Sequence, residues 1–323
     1  MSGKAENTNV EQYKIVQTAD GGDTVYSERF GEHYHSLGGS LGESIYVYCK
    51  QGLEYFCNLF PKHKNITIFE VGFGAGLNAY VTLLYAKDKD ININYISVEK
   101  YPLDVDSLEN FSLGEMEQFR KLFFLLHRAP WNKWTHIIPN FRILKVRGDW
   151  TQCDLESQLK DDKIDVIYYD AFSYDTQPEM WTAERFKYLF ENTADGGVLT
   201  TYAAKGEIKR NLLEAGFYIE RLKGALKKRH MLRAIKPIRG QNLMRYINIS
   251  NIKFDNIPIN LDTLDLAMKI YMGQINPDDL PPIRVKKLPS VQYLIRDGRH
   301  RATAFKLNGL KQIKAYIFTP KPK

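Results

Sequence analysis

An acid and three glycines occupy alternate positions at Glu70, Gly72, Gly74 and Gly76, directly after the apolar run at residues 66–69. Glycine loses conformational entropy on folding and adds no packing. Bare backbone here therefore points to a tight turn, a bulge or a ligand that approaches the main chain closely. If the loop opens a helix, amides and the positive helix end meet at one place. Three further acids close later apolar runs: Glu99 in ISVEK, Asp149 in RGDW and Asp170 in IDVIYYD. Glu99, 23 residues beyond Gly76, is placed to accept both hydroxyls of a ribose. Asp149 could accept from an adenine amino group, with Trp150 stacked beside it. Asp170 is followed by Phe172 and a loop containing Pro178 and Trp181. An amine must lose a proton before it can act as a nucleophile, and Asp170 could take it, with Phe172 and Trp181 as apolar or stacking walls. Singly, each acid also reads as a surface strand end, and Asp170 as a cap. Their succession at consecutive strand ends favours a nucleoside site.

The glycine spacing narrows the ligand. A nicotinamide loop would place a glycine where Leu77 stands, and no GK[ST] follows to cradle a pyrophosphate. Acid-x-Gly-x-Gly-x-Gly instead resembles the S-adenosylmethionine (AdoMet) loop of class I methyltransferases, whose acid reaches the ligand's cationic amino group. On that resemblance Phe73 and Asn78 join the glycines around the cofactor.

The elements that would hold these residues alternate between strand and helix. NITIFEV, NINYISVEK, FRILKVRGD, IDVIYYDAF and GGVLTTYAA read as five strands, the first of the fully buried kind. LNAYVTLLYAKDK and EIKRNLLEAGF read as helices, the latter stopped by Gly216. YIERLKG and HMLRAIKP form a closing pair. Residues 103–141 read as a mostly helical insertion, and residues 24–56 as a cap or hairpin ahead of the sheet. The fold class is α/β: a doubly wound, Rossmann-like sheet with ligands at the carboxyl ends of its strands.

Charge divides the chain. Residues 244–323 hold 14 Lys and Arg against six Asp and Glu, leaving 31 against 32 in the remainder. This step predicts a larger domain over 1–240 and a basic α+β domain over 244–323. Within the first, residues 205–239 carry eleven basic residues against three Glu, a candidate phosphate-binding face or a solvated surface. Three cysteines without CxxC pairing, a polar leader and no long apolar run fit a cytoplasmic protein with no membrane partner. The histidines, His33, His35 and His230 among them, show no metal spacing and receive no role.

FEVGFGAGLN, DAFSYDTQPEMWT, GGVLTTYAAKGEIKRNLLEAGF and LKGALKKRHMLRA together resemble the methyltransferase half of the MnmC family of tRNA-modifying enzymes, over residues 26–236. The resemblance implies AdoMet-dependent N-methylation of a 5-aminomethyl group on the tRNA wobble uridine, giving 5-methylaminomethyl(-2-thio)uridine. It assigns Glu70, Gly72, Gly74, Gly76 and Asn78 to the donor loop, and Glu99 and Asp149 to the nucleoside. Asp170 takes the catalytic place, and Lys227, Lys228 and Arg229 lie near tRNA. Ser173-Tyr174 stands where the family commonly has Ala-Pro, which puts the substrate-side loop in question. No second dinucleotide loop is present, so no FAD is expected. The tail resembles the fold shared by ParB N-terminal domains and sulfiredoxins. Gly298, Arg299, His300 and Arg301 open its helix as a candidate phosphate site, with a nucleotide or nucleic acid as partner. Sulfiredoxin chemistry is excluded, because Arg299 stands where a thiol is required. Two other readings stay open: a class I methyltransferase for another amine, and a non-catalytic nucleotide- or nucleic-acid-binding regulator.

Overall fold

The computed structural model describes residues 13–160, 162–226, 228–238, 243–254, 259–288 and 292–318. The chain separates into two compact units, Met1–Lys236 and Pro237–Lys323.

In the larger unit three short strands, β1 (Tyr13–Gln17), β2 (Asp23–Ser27) and β3 (Glu32–His33), form an antiparallel sheet. A composite helix follows, running through Ser40–Glu43, the π-helical Ser44–Glu54 and Tyr55–Leu59. This corrects the expectation of a cap or hairpin alone over residues 24–56. SIYVYC is rich in residues that favour strands, but burial of this helix on the sheet overrides local propensity. At Gly52 the packing is so close that a Cβ would stand 3.0 Å from the Tyr168 ring. A π-helical stretch is rare and tends to occur at functional sites.

The main sheet comprises β4 (Asn65–Val71), β5 (Asn92–Glu99), β6 (Thr135–Ile138), β7 (Phe141–Arg147), β8 (Ile164–Tyr169), β9 (Thr193–Thr201), β10 (Tyr218–Lys223) and β11 (His230–Ile235). Their spatial order is β10-β11-β9-β8-β4-β5-β7-β6. Strands β7, β5, β4, β8 and β9 are parallel, while β6 on one edge and β11 on the other side run antiparallel to their neighbours. Both faces are buried, as a parallel sheet requires. Ile66 and Ile68 of β4 enter one core cluster, Phe69 and Val71 the other. The chain leaves β4 toward β5 on one side and returns to β8 on the other. That reversal opens a crevice at the carboxyl ends of the central strands.

The insertion differs from the mostly helical reading. Only Arg120–Arg128 is α-helical, between 3-10 turns at Asp106–Leu108 and Gly114–Phe119 and the added edge strand β6. The run THII of β6 is β-branched and pairs antiparallel with β7.

The smaller unit is a five-stranded sheet of β12 (Leu243–Asn248), β13 (Ile252–Lys253), β14 (Ile283–Lys287), β15 (Tyr293–Asp297) and β16 (Gln312–Phe318), in the order β12-β16-β14-β15-β13. The helices Leu261–Tyr271 and Arg299–Leu307 complete it. Its own core includes Ile283, Val285, Ala304, Phe305 and Ile313. No helix among the described residues is long and apolar enough to cross a membrane.

Candidate active site

A cleft opens at the carboxyl ends of β4, β5, β7 and β8. Gly72, Phe73, Gly74, Glu99, Asp149, Trp150, Asp170 and Phe172 all line it. The structure thus brings together eight residues picked from four separate strand ends.

The three glycines of the loop have distinct reasons to lack a side chain. All have positive φ: 88° at Gly72, 50° at Gly74 and 72° at Gly76. A Cβ on Gly72 would stand 2.7 Å from the Asp170 carbonyl oxygen. On Gly74 it would meet the Tyr34 ring at 2.8 Å, and on Gly76 the His127 imidazole at 2.8 Å. The nearest neighbours of this bare backbone are therefore protein groups. Gly72 and Gly74 also face the cleft, whereas Gly76 sits over His127. The ring of His127 lies 3.1 Å from the Ala75 carbonyl, and burial pushes its imidazole down to about 3. Lys145 donates to the His127 carbonyl at 2.5 Å, and burial lowers its ammonium to about 8. The insertion helix thus clamps the loop from below.

Glu70 is fully buried and does not line the cleft. The Ser97 hydroxyl donates to its Oε2 at 2.6 Å, while Oε1 has no hydrogen-bond partner. Burial pushes its carboxyl up to about 8, against the Ser97 bond. The side chain that the sequence assigns to a ligand's amino group thus lies beneath the glycine loop. Asn78 is likewise away from the cleft lining.

Glu99 accepts from the Gly74 amide at 3.0 Å and the Tyr101 amide at 2.8 Å, which fixes it at the cleft edge. Asp149 is held by Lys100 at 2.8 Å and by both the amide and hydroxyl of Thr151. Burial would raise its carboxyl, but the bonds from Lys100 and Thr151 prevail and keep it below the usual range. Trp150 is a correction. Its ring is 2% exposed and packs on Phe69 and Tyr188, so little of it is open to an adenine.

Asp170 ends β8 with its side chain only 10% exposed. Tyr48, from the π-helical stretch, donates to Oδ1 at 2.6 Å, and Asn78 donates to Oδ2 at 2.7 Å. Burial raises its carboxyl above the ordinary value; the nearby His35 and the Tyr48 bond oppose this. Phe30, Tyr34 and Phe172 form an aromatic wall beside it, Phe30 and Phe172 with centroids 4.4 Å apart. Trp181 is not part of that wall. It is fully buried against Tyr169 and Phe186 and donates to the Phe172 carbonyl at 2.9 Å, so it supports the loop from the core.

The Ser173 departure has a structural partner. Its amide donates to Glu32 Oε2 at 3.1 Å, its hydroxyl and that of Thr176 donate to Oε1, and the loop is thereby tied to β3. Sequence reasoning missed Phe30, Glu32, Tyr34, His35, Tyr48 and Tyr202. All but Glu32 and Tyr48 line the cleft; Tyr48 holds Asp170, which does, and Glu32 ties down Ser173 and Thr176 in the loop that follows Phe172. Five of the six lie in the polar and aromatic run before the sheet, which carries no spacing rule, while Tyr202 follows β9.

Among the tRNA candidates, Lys227 lies outside the described residues. Lys228 is paired internally with Glu43 at 2.6 Å and lies 4.4 Å over the Tyr202 ring, so it supports the cleft wall. Arg229 is exposed. Elsewhere in the basic run, Lys205 pairs with Asp175, Arg210 with Glu207 and Arg233 with Glu220. In the smaller unit Gly298 has φ 83° at the start of its helix, under the Arg301 guanidinium. His300 bonds Thr263 at 2.6 Å and Arg299 is exposed. Among the described residues no group of three His, Cys, Asp or Glu could hold a metal ion.

Glycine backbone open to a crevice, a tethered carboxylate at the end of β5 and an anionic one after β7 suit a nucleoside. Residues 126–237 match the family of S-adenosyl-L-methionine-dependent methyltransferases. The larger unit is an AdoMet-dependent methyltransferase domain. Two relatives are named tRNA 5-methylaminomethyl-2-thiouridine biosynthesis bifunctional protein MnmC. That of Nitrosospira multiformis is 30% identical over 223 residues, covering 66% of this chain and 35% of the relative. That of Ectopseudomonas mendocina is 31% identical over 223 residues, covering 64% and 32%. The chain thus spans about a third of the length of the curated relatives it matches, and the methyltransferase unit resembles the methyltransferase half of MnmC. The crystal structure of MNMC2 from Aquifex aeolicus aligns with a TM-score of 0.56 at 22% identity, covering 94% of this chain and 87% of that one. That likeness shows the fold.

Proposed function

We propose that the methyltransferase unit N-methylates the 5-aminomethyl group of the tRNA wobble uridine, giving 5-methylaminomethyl(-2-thio)uridine. The observation that carries this reading is Asp170, a buried carboxylate at the end of β8, facing the nucleoside cleft and walled by Phe30 and Phe172. AdoMet would supply an electrophilic methyl group. Gly72, Phe73 and Gly74 would hold its amino-acid end, Glu99 its ribose and Asp149 its adenine. Asp170 accepts the proton of the protonated amine, while Tyr48 and Asn78 hold the carboxylate in one orientation. Phe172 and its neighbours exclude water and orient the acceptor, and orientation supplies much of the remaining rate. Arg229, exposed in the KKR turn, is available to an RNA phosphate. We assign this chain the methylation step, in the cytoplasm with tRNA.

The test is nucleoside analysis of tRNA carrying the free aminomethyl group, incubated with purified protein and AdoMet. Conversion to the methylaminomethyl nucleoside is expected. Methylation of small amines with none in tRNA would overturn the RNA assignment and leave a methyltransferase for another amine.

For the smaller unit we propose a phosphate of a nucleotide or nucleic acid at Gly298, Arg299, His300 and Arg301, opening the helix Arg299–Leu307. Arg299→Gln is expected to weaken tRNA binding a few-fold and to reduce its salt slope by about one. An unchanged affinity and slope would remove tRNA from this site.

A further inference from the structure

Asp170 shares its enclosure with an imidazole. The Nε2 of His35 stands 4.0 Å from Asp170 Oδ2, one small adjustment beyond hydrogen-bond distance. His35 is 6% exposed and lines the cleft. Its backbone amide donates to Thr24 Oγ1 at 2.9 Å, which fixes the residue beside the N-terminal sheet. Neither ring nitrogen has a hydrogen-bond partner. A buried polar group without a partner is destabilising. That cost falls on the group nearest a carboxylate that must change protonation in every turnover.

We propose that His35 removes the proton that Asp170 takes from the acceptor amine, and so resets the carboxylate between turnovers. The inference rests on the methyl-transfer reading above. The proton balance requires that Asp170 be cleared after each transfer. An N–H bond of the aminium breaks and an O–H bond forms at Asp170 Oδ2. The freed nitrogen lone pair forms a C–N bond as the C–S bond breaks, and that bonding pair stays on sulfur. The product nitrogen keeps a positive charge, so it does not need the proton held on Asp170. That proton must leave before a second amine can be deprotonated. It passes from Oδ2 to His35 Nε2, and the imidazole gives it up to solvent that enters the cleft it lines as product leaves.

The other titratable neighbours do not serve. Glu43 is committed to its ion pair with Lys228. The Tyr48 and Tyr202 hydroxyls are pushed well above their ordinary range by burial, so they stay protonated. His33 lines the same cleft, but no contact places it against Asp170.

The test separates the first turnover from those that follow. His35→Gln and His35→Phe are compared with wild type in the full chain, using tRNA with the free aminomethyl group. Both variants are expected to bind AdoMet as wild type does and to lose less in a first turnover than in those that follow, the first loss reflecting the help His35 gives the Asp170 carboxylate. Their steady-state rate should then fall at least tenfold at neutral pH, and added imidazole should restore it. A steady-state rate equal to wild type in both variants overturns the relay. So does a first turnover slowed by the same factor as the steady state, which would place His35 in orientation of the acceptor. A wild type that transfers no methyl to this RNA fails the function reading, and that result is distinct from either.

Discussion

Asp170→Asn is expected to lower the rate of methyl transfer to aminomethyl-bearing tRNA by roughly 10²–10⁴-fold, the range lost with a positioned proton acceptor. Asparagine keeps the size and can accept from Tyr48 through its single amide oxygen, but it sets an NH2 group opposite the Asn78 amide and cannot take a proton at this site. AdoMet affinity, measured by calorimetry, should stay within about twofold, since the cofactor ligands proposed here lie on other strand ends. The pH profile gives a second readout. Burial raises the Asp170 carboxyl above the usual carboxylate range, and only its ionised form accepts a proton. Activity should therefore rise with pH through that elevated value. Tyr48→Phe removes a hydrogen bond to the charged form, so it should move the acidic limb of the profile to higher pH. Full activity in both Asp170→Asn and Asp170→Ala would take the residue out of the chemistry altogether.

The strand ends were legible because the central strands β4, β5 and β8 are largely buried on both faces and therefore rich in apolar residues. An acid that interrupts such a run at its end stands out: Glu99 after YISV and Asp170 after VIYY. The glycine loop was legible for a related reason, since Gly72, Gly74 and Gly76 all have positive φ, where other residues are strained. What occupied the space beside them was not legible. The Tyr34 ring against Gly74 and the His127 ring against Gly76 come from segments far away in sequence, and only tertiary packing brings them there. Tyr48 shows the same limit. Its run SIYVYC favours strands, yet packing draws it into the π-helical stretch and delivers a hydroxyl to Asp170. Trp150 and Trp181 erred in the opposite direction. A tryptophan next to a site acid suggests a stacking wall, but both indoles are core, where their large apolar area is of most use. Lys228 sits in a basic turn, and the Glu43 that neutralises it lies 185 residues earlier.

Glu70→Gln is expected to stabilise the ligand-free protein at pH 8 by roughly 3–5 kcal/mol, measured by denaturant unfolding, at about 1.36 kcal/mol for each pH unit separating folded and unfolded values. Burial lifts this carboxyl from 4.5 to about 8 in the folded chain, against the bond from Ser97, with the charge of Asp170 adding to the rise. Below pH 4.5 the folded and unfolded chains both hold the proton, and the residue is neutral to stability. Between pH 4.5 and 8 only the folded chain holds it, so stability falls as pH rises. Above pH 8 the full penalty applies. Glutamine cannot ionise, so the variant should gain on wild type from pH 5 to pH 8 and then run parallel. Part of that gain should vanish in the Asp170→Asn background, because one of the two interacting charges is gone. A stability difference that is equal at pH 5 and pH 8 would show that Glu70 does not titrate in this range. The same residue bears on the ligand. A cationic amino group brought within its reach would favour the ionised form, so AdoMet binding at pH 7 should release a proton. The binding enthalpy would then vary with the ionisation enthalpy of the buffer in wild type, and not in Glu70→Gln. If it is buffer-independent in both, Glu70 stays closed beneath the glycine loop and the cofactor's amino group is held by other atoms.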